Sequence, residues 1–290
     1  MNACLECLPC LGKNAVDIAR RISGAPDVQR KIVSQSLRLL ADCDCTMSPP
    51  YYAGAIHRIA KQTASQTGAD PYLDEKRRST RLAEELLAEL RRTPCYDPED
   101  FESRLRLAIA GNILDFGIYA DLDLKTVMPI VRQAFTRELD SGAIRDIQSR
   151  MEAARRILYL LDNCGEAVFD REFIAPYRAK TILGVRGEPV FNDVTRSDLA
   201  ESGLEPFAAG VVDSGSDIPG TIIPLVGEPF RQAFQEADLV IAKGQGNFET
   251  LCDTPHRAIA FLFMAKCPVV CRLLDAGPNS LQVFLRRSDA

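Results

Sequence analysis

Residues 157–163 read ILYLLDN, an uninterrupted apolar run that stops at Asp162 and Asn163. A short run of this kind bounded by polar residues fits a strand buried on both faces, as strands of parallel sheets are. Similar runs follow at Thr181–Val185, 207–212, 239–242 and Ala258–Ala265, separated by glycine, proline and acidic turns. Between them lie polar, helix-compatible stretches at 197–204, 229–236 and 248–252. Apolar strands alternating with helices predict a mostly parallel sheet covered on both faces. Upstream of Ile157 no strand signal stands out, and the pattern is helical. An apolar-periodic stretch spans 28–43, and Pro49 and Pro50 open another at a helix-compatible position. The stretch 79–92 puts Leu82, Leu86, Leu87 and Leu90 on one stripe and ends in Arg91 and Arg92, as the helix dipole favours. Asp97 and Pro98 open a further helix running to Ile113. The predicted division is a helical N-terminal part, 1–155, and an α/β part, 156–290.

Composition narrows the function classes. The 290 residues are 46% hydrophobic and 26% charged, near the globular average. That balance excludes a disordered tail, a collagen-like repeat and a small disulfide scaffold. The net charge of -5 gives no bulk attraction to nucleic acid or to anionic lipid, so neither is expected as a partner. No apolar run approaches the roughly 20 residues that a bilayer span requires. The N-terminus carries Glu6 early and lacks a basic region before its apolar one, so it does not read as a secretion signal. A soluble, cytoplasmic protein is expected, with its ten cysteines reduced. Oligomeric state leaves no trace in the sequence.

In an open parallel sheet, ligands bind beyond the carboxyl ends of the strands. The residue after each apolar run is therefore the one to inspect. These exits carry Asp162 and Asn163, Asp213, Lys243 and Lys266. One polar residue at a strand end is ordinarily the first solvated position; several on one rim describe a site. Asp162, Asn163 and Asp193 offer hard oxygen donors suited to Mg²⁺ or Mn²⁺. Lys243 and Lys266 are point charges suited to a phosphate, and Gly244 and Gly246 let main-chain amides approach an anion. The set describes a site for a phosphorylated small molecule.

Each feature also has a plainer reading. Gly244–Glu249 matches neither nucleotide-binding fingerprint, because Glu249 stands where the dinucleotide motif has its third glycine and no Walker-type loop occurs. Asp193 could cap a helix or hold a turn before 197–204. Cys7 and Cys10 are spaced like half a zinc site, with no second pair to match. The two histidines, His57 and His256, have no partner pattern for a catalytic triad.

Taken together, the motifs resemble those of the damage-control phosphatases, a family first catalogued as domain of unknown function 89, and within it a shorter, cysteine-containing microbial branch. The likeness rests on CLECLPCL at 4–11, the 48–72 stretch, GNILDFG at 111–117, LDNCGEAVFD at 161–170, NDVT at 192–195, DSGS at 213–216, KGQGNFE at 243–249 and Lys266-Cys267. It implies a helical N-terminal region packed on a Rossmann-like three-layer core, and a phosphatase dependent on a divalent metal such as manganese, cobalt, nickel or magnesium. By the same resemblance Asp162, Asn163 and Asp193 hold the metal. Gln245, Asn247, Glu249 and Lys266 hold the phosphate and sugar of a sugar phosphate or related phosphometabolite. Cys164 stands where the family motif commonly has a small residue, and Cys4 adds a thiol before the usual pair.

The expected reaction is hydrolysis of a phosphomonoester, with Lys266 and the amides of 244–247 neutralising the equatorial oxygens. Attack by water and attack by Asp162 both remain open. Asn112 and Asp115, about one helical turn apart, could close the site or simply fix the interface between the two parts. A non-catalytic protein that binds a phosphometabolite uses the same lysines and glycines and is the alternative. A nucleotide-dependent oxidoreductase is disfavoured by the missing glycine.

Overall fold

The structure is a computed structural model and describes residues 1–66, 68, 70–114 and 124–287. Seven helices precede the first strand among these residues: α1 (Cys7–Ile22), α2 (Pro26–Ala41), α3 (Pro49–Thr63), α4 (Leu73–Leu90), α5 (Phe101–Ala110), α6 (Leu124–Ala134) and α7 (Ser141–Ala153). The sheet portion then runs β1 (Ile157–Leu160), α8 (Cys164–Ile174), β2 (Thr181–Val185), α9 (Leu199–Ser202), β3 (Gly210–Asp213), α10 (Glu228–Glu236) and β4 (Leu239–Lys243). It ends with α11 (Gln245–Leu251), β5 (Ala258–Ala265), α12 (Pro268–Leu273) and β6 (Ser280–Arg287). No helix among the described residues is long and apolar enough to cross a membrane.

The six strands lie in the order β3-β2-β1-β4-β5-β6. The first five are parallel, and β6 pairs antiparallel with β5. From β1 the chain winds outward to β2 and β3, then returns to place β4 on the other side of β1. The winding direction therefore reverses between β1 and β4. At such a switch point neighbouring crossovers diverge and leave a crevice outside the carboxyl ends of the strands.

Side-chain parity decides what each face of the sheet touches. Ile157, Tyr159 and Leu161 join Leu239, Ile241, Leu262 and Met264 in a core shared with α4 to α8. Leu158, Leu160, Val240, Ala242, Phe261 and Phe263 face the other way, into a core with α10, α11 and α12. Apolar residues on both parities explain why these strands read as continuous runs rather than as alternations. A third core lies among α1, α2 and α3, where Leu11, Ala15, Ile18, Ile32 and Ile56 are buried together. Packing is thus partitioned differently from secondary structure. α4 to α7 cover the sheet, whereas α1 to α3 form a cap of their own.

Polar contacts hold that cap against the crest of the sheet. Arg58 of α3 pairs with Asp217, and Lys61 Nζ donates to the Pro189 carbonyl at 2.6 Å. Gly54 brings α3 close to the same loop, since a Cβ there would lie 3.0 Å from the Asp217 carbonyl oxygen.

Candidate active site

Between the cap and the crest lies a cavity of about 1240 Å³, at the mouth of the β1/β4 crevice. Its floor carries Asp162, Asn163, Asp193, Gln245, Gly246, Glu249 and Lys266. One wall is apolar: Tyr72 and Phe191 pack edge to face with centroids 5.8 Å apart. His57 stacks behind them, and burial pushes its pKa down to about 3. Phe191 adopts a φ of 46°, a left-handed conformation that a bulky residue holds only when its surroundings impose it. Charge gathers at the rim, with Lys13, Arg20, Arg21 and Arg272 beside Glu6, Asp17 and Glu75.

Main-chain pairing brings the oxygen donors together. The Val194 N–H donates to the Asp162 carbonyl at 2.8 Å and the Cys164 N–H to the Asn192 carbonyl at 3.0 Å, with Asn163 bridged to Asp193 between them. The chain leaving β1 and the 192–194 segment therefore lie side by side, although some thirty residues separate them. Asn163 Nδ2 donates to Glu166 at 2.8 Å and to Asp162 Oδ2 at 3.1 Å. With its NH₂ group committed, the Asn163 amide keeps its carbonyl oxygen as the atom available to a ligand. Arg186 Nε donates to Asp193 Oδ2 at 2.7 Å, and its other nitrogens reach the Gly220 carbonyl and Asn247 Oδ1. Arg186 leaves β2, so the inspection of strand exits extended to that strand finds it.

Gly244 permits the close approach of β4 to Asp162. Its φ is 79°, and a Cβ there would fall 2.0 Å from Asp162 Oδ2. α11 starts immediately afterwards, at Gln245, three residues earlier than the sequence suggests. Gln245 is held on both sides: Oε1 accepts from the Lys266 and Cys267 N–H groups at 2.9 and 3.1 Å, and Nε2 donates to Glu249 at 2.7 Å. Gly246 packs so tightly that a Cβ would lie 2.2 Å from the Pro219 carbonyl oxygen.

Several expected ligand-binding side chains face elsewhere. Lys243 has the parity of Leu239 and Ile241, so it points beneath the α4 to α8 layer rather than into the cavity. Its Nζ donates to Glu166 at 3.0 Å, Asp170 at 2.7 Å and the Ala108 carbonyl at 2.8 Å, and the side chain is wholly buried. Burial pushes the Asp170 pKa up to about 6; although burial also opposes the lysine's charge, its two carboxylate partners raise its pKa overall. Lys243 thus binds no phosphate; it anchors Glu166, which in turn orients Asn163. Asn247 is likewise an internal strut, donating to the Lys243 carbonyl at 2.7 Å and accepting from Thr221 at 2.9 Å. Asn112 borders the cavity, but its amide is committed to Glu166 and to the Met264 N–H at 3.0 Å, the interface role. Asp115 lies outside the described residues. Asp213 ends the edge strand β3, exposed and 4.0 Å from Arg196. Among the described residues, His256 hydrogen-bonds to the main chain of Phe234 and Ala258.

The donor set suits a divalent cation: two carboxylates and an amide carbonyl, all oxygen. No group of three or more His, Cys, Asp or Glu side chains among the described residues is placed to share a metal ion, and this includes the cysteines. Asn163 is the third oxygen-bearing side chain beside Asp162 and Asp193 in this cavity.

The switch point of a doubly wound sheet is where α/β proteins bind their ligands, and here oxygen-bearing side chains and a lysine line it. The family model described as the damage-control phosphatase ARMT1-like domain matches residues 3–281, and the chain belongs to that family. It is a phosphatase. It is 32% identical to a damage-control phosphatase of Pyrococcus horikoshii over 97% of both chains. A damage-control phosphatase of Archaeoglobus fulgidus is 29% identical over 94% of both. The crystal structure of a domain-of-unknown-function-89 protein from P. horikoshii matches the whole of both chains, with a TM-score of 0.88 and 30% identity.

Proposed function

We propose that this phosphatase hydrolyses phosphomonoesters of small metabolites, sugar phosphates or damaged phosphometabolites, with a divalent cation held by Asp162, Asn163 and Asp193. Manganese, cobalt, nickel and magnesium all accept such oxygen donors. When bound, the cation supplies a Lewis acid for a phosphoryl oxygen. Arg186 holds the Asp193 carboxylate in place, and Glu166 orients Asn163 so that its carbonyl faces the ligand. Lys266 contributes a positive charge from the end of β5 on the same cavity floor. Cap and crest flank the cavity on two sides, where the organic part of the substrate would lie.

The observation that carries this reading is the meeting of Asp162, Asn163 and Asp193 in one cavity at the switch point of the sheet. Asp162→Ala tests it. A folded variant is expected to lose at least about 10³-fold of its metal-stimulated phosphate release from an aryl phosphate. Retained turnover refutes the ligand assignment, and binding of sugar phosphates without turnover by the wild type favours a carrier instead.

A further inference from the structure

Glu249 lines the cavity floor and is almost fully buried there. It is 7% exposed, and its Oε1 accepts the Gln245 amide at 2.7 Å. Gln245 cannot flip, because two main-chain N–H groups fix its oxygen. Its NH₂ is therefore aimed permanently at Oε1. Asp162 and Glu249 line the same cavity, Asp162 beside Gly244 at the start of α11 and Glu249 within that helix.

We propose that Glu249 is the general acid of this site, protonating the oxygen of the departing alcohol; the proposal rests on the phosphatase reading above. The P–O bond to the leaving group breaks, and its electron pair stays on the leaving oxygen. The Glu249 proton moves onto that oxygen, so an alcohol departs rather than an alkoxide. The water consumed gives its oxygen and one hydrogen to the phosphate, and its second proton returns through solvent to the Glu249 carboxylate.

The electrostatics agree with this role. Burial pushes the Glu249 pKa up to about 7, against the hydrogen bond from Gln245 and the field of the Met1 ammonium. That ammonium donates to the Glu249 carbonyl at 2.7 Å and pairs with Asp253 at 3.1 Å. Burial lowers its pKa, but the contacts with Cys252 and Asp253 raise it overall, so it keeps its charge at neutral pH. Cys10 of α1 lies within electrostatic reach of Glu249, and burial raises its thiol pKa, which leaves it neutral.

The test compares two substrates on the Mn²⁺-loaded enzyme: an alkyl phosphate, whose alkoxide cannot leave unaided, and 4-nitrophenyl phosphate, whose phenolate can. Glu249→Gln is expected to lower kcat/KM about 10²–10⁴-fold for the alkyl ester and roughly tenfold at most for the nitrophenyl ester. Equal losses on both substrates, or an unaffected alkyl ester, overturn the assignment. Wild-type enzyme supplies a check that needs no variant: kcat for the alkyl ester falls as pH rises through about 7, while the nitrophenyl ester is insensitive there. Parallel profiles overturn the proposal. Infrared titration of the metal-free protein should show a carboxyl with a midpoint near neutrality that is present in wild type and missing from Glu249→Gln, and identical titrations of the two contradict the role. A wild type that hydrolyses neither ester with any metal overturns the phosphatase reading itself and the proposal with it; wild-type turnover with equal losses overturns only the assignment to Glu249.

Discussion

Lys243 and Lys266 leave adjacent strands and look equivalent in sequence, yet one lies within the core and the other borders the cavity. Lys243 is the last residue of β4, paired in register with Leu262, and still obeys strand parity; Lys266 comes after β5 has ended. Lys243→Met is therefore expected to destabilise the fold by about 3–5 kcal/mol in urea denaturation, because it strands the Glu166 and Asp170 charges. Unchanged stability with a raised KM would mean that the lysine meets substrate after all. Gly244→Ala is expected to cost stability and most of the activity, since the new methyl overlaps Asp162 at a positive φ. Wild-type turnover in that variant would contradict the packing described. At Glu249 the folded pKa lies above the ordinary value, so the folded state binds the extra proton between about pH 4.5 and 7. Its stabilising contribution is thus complete below that window and is lost as pH rises through it. Denaturation at pH 5 and pH 8 should show wild type losing on the order of 1–3 kcal/mol that Glu249→Gln does not lose.

Whole elements were legible where their pattern is one-sided or fully apolar. The five parallel strands, α2 and the start of α3 appear at their sequence positions to within a few residues, and α4 covers its leucine stripe but begins six residues earlier, because long apolar runs and such a stripe leave little choice. β6 was not legible. Its Leu281 and Val283 face one core while Gln282 lies between them, a weak alternation that only pairing with β5 makes into a strand. The start of α11 was hidden for a different reason: Gln245, Gly246 and Asn247 look like a loop until Gly244 turns the chain and the helix takes them in. That the helical part packs on the core followed only from the resemblance, and the contacts that hold the cap could not be read, since Lys61 reaching the Pro189 carbonyl spans 128 residues. Lys61→Met is expected to raise KM several-fold by loosening α3 from the crest, with a far smaller effect on kcat. Steady-state kinetics check this, and a fall in kcat alone would contradict it.

Across the whole molecule, a reversal of winding between β1 and β4 gathers residues that are remote in sequence. Asp162 and Asn163 were readable because they end a strand beside the switch point, and Asp193 because its motif offers an oxygen donor. The parts that hold them, Arg186 on Asp193 and the Lys243–Glu166–Asn163 chain, were not, because a buried partner is defined by three-dimensional proximity alone. The central claim is that the three donors grip one cation. Calorimetric titration of Mn²⁺ into chelated protein tests it most directly, with wild type beside Asp162→Ala and Asp193→Ala. One ion per chain for wild type, with affinity lost in both variants, is the predicted result. Equal binding by all three proteins, or none by the wild type, contradicts the account.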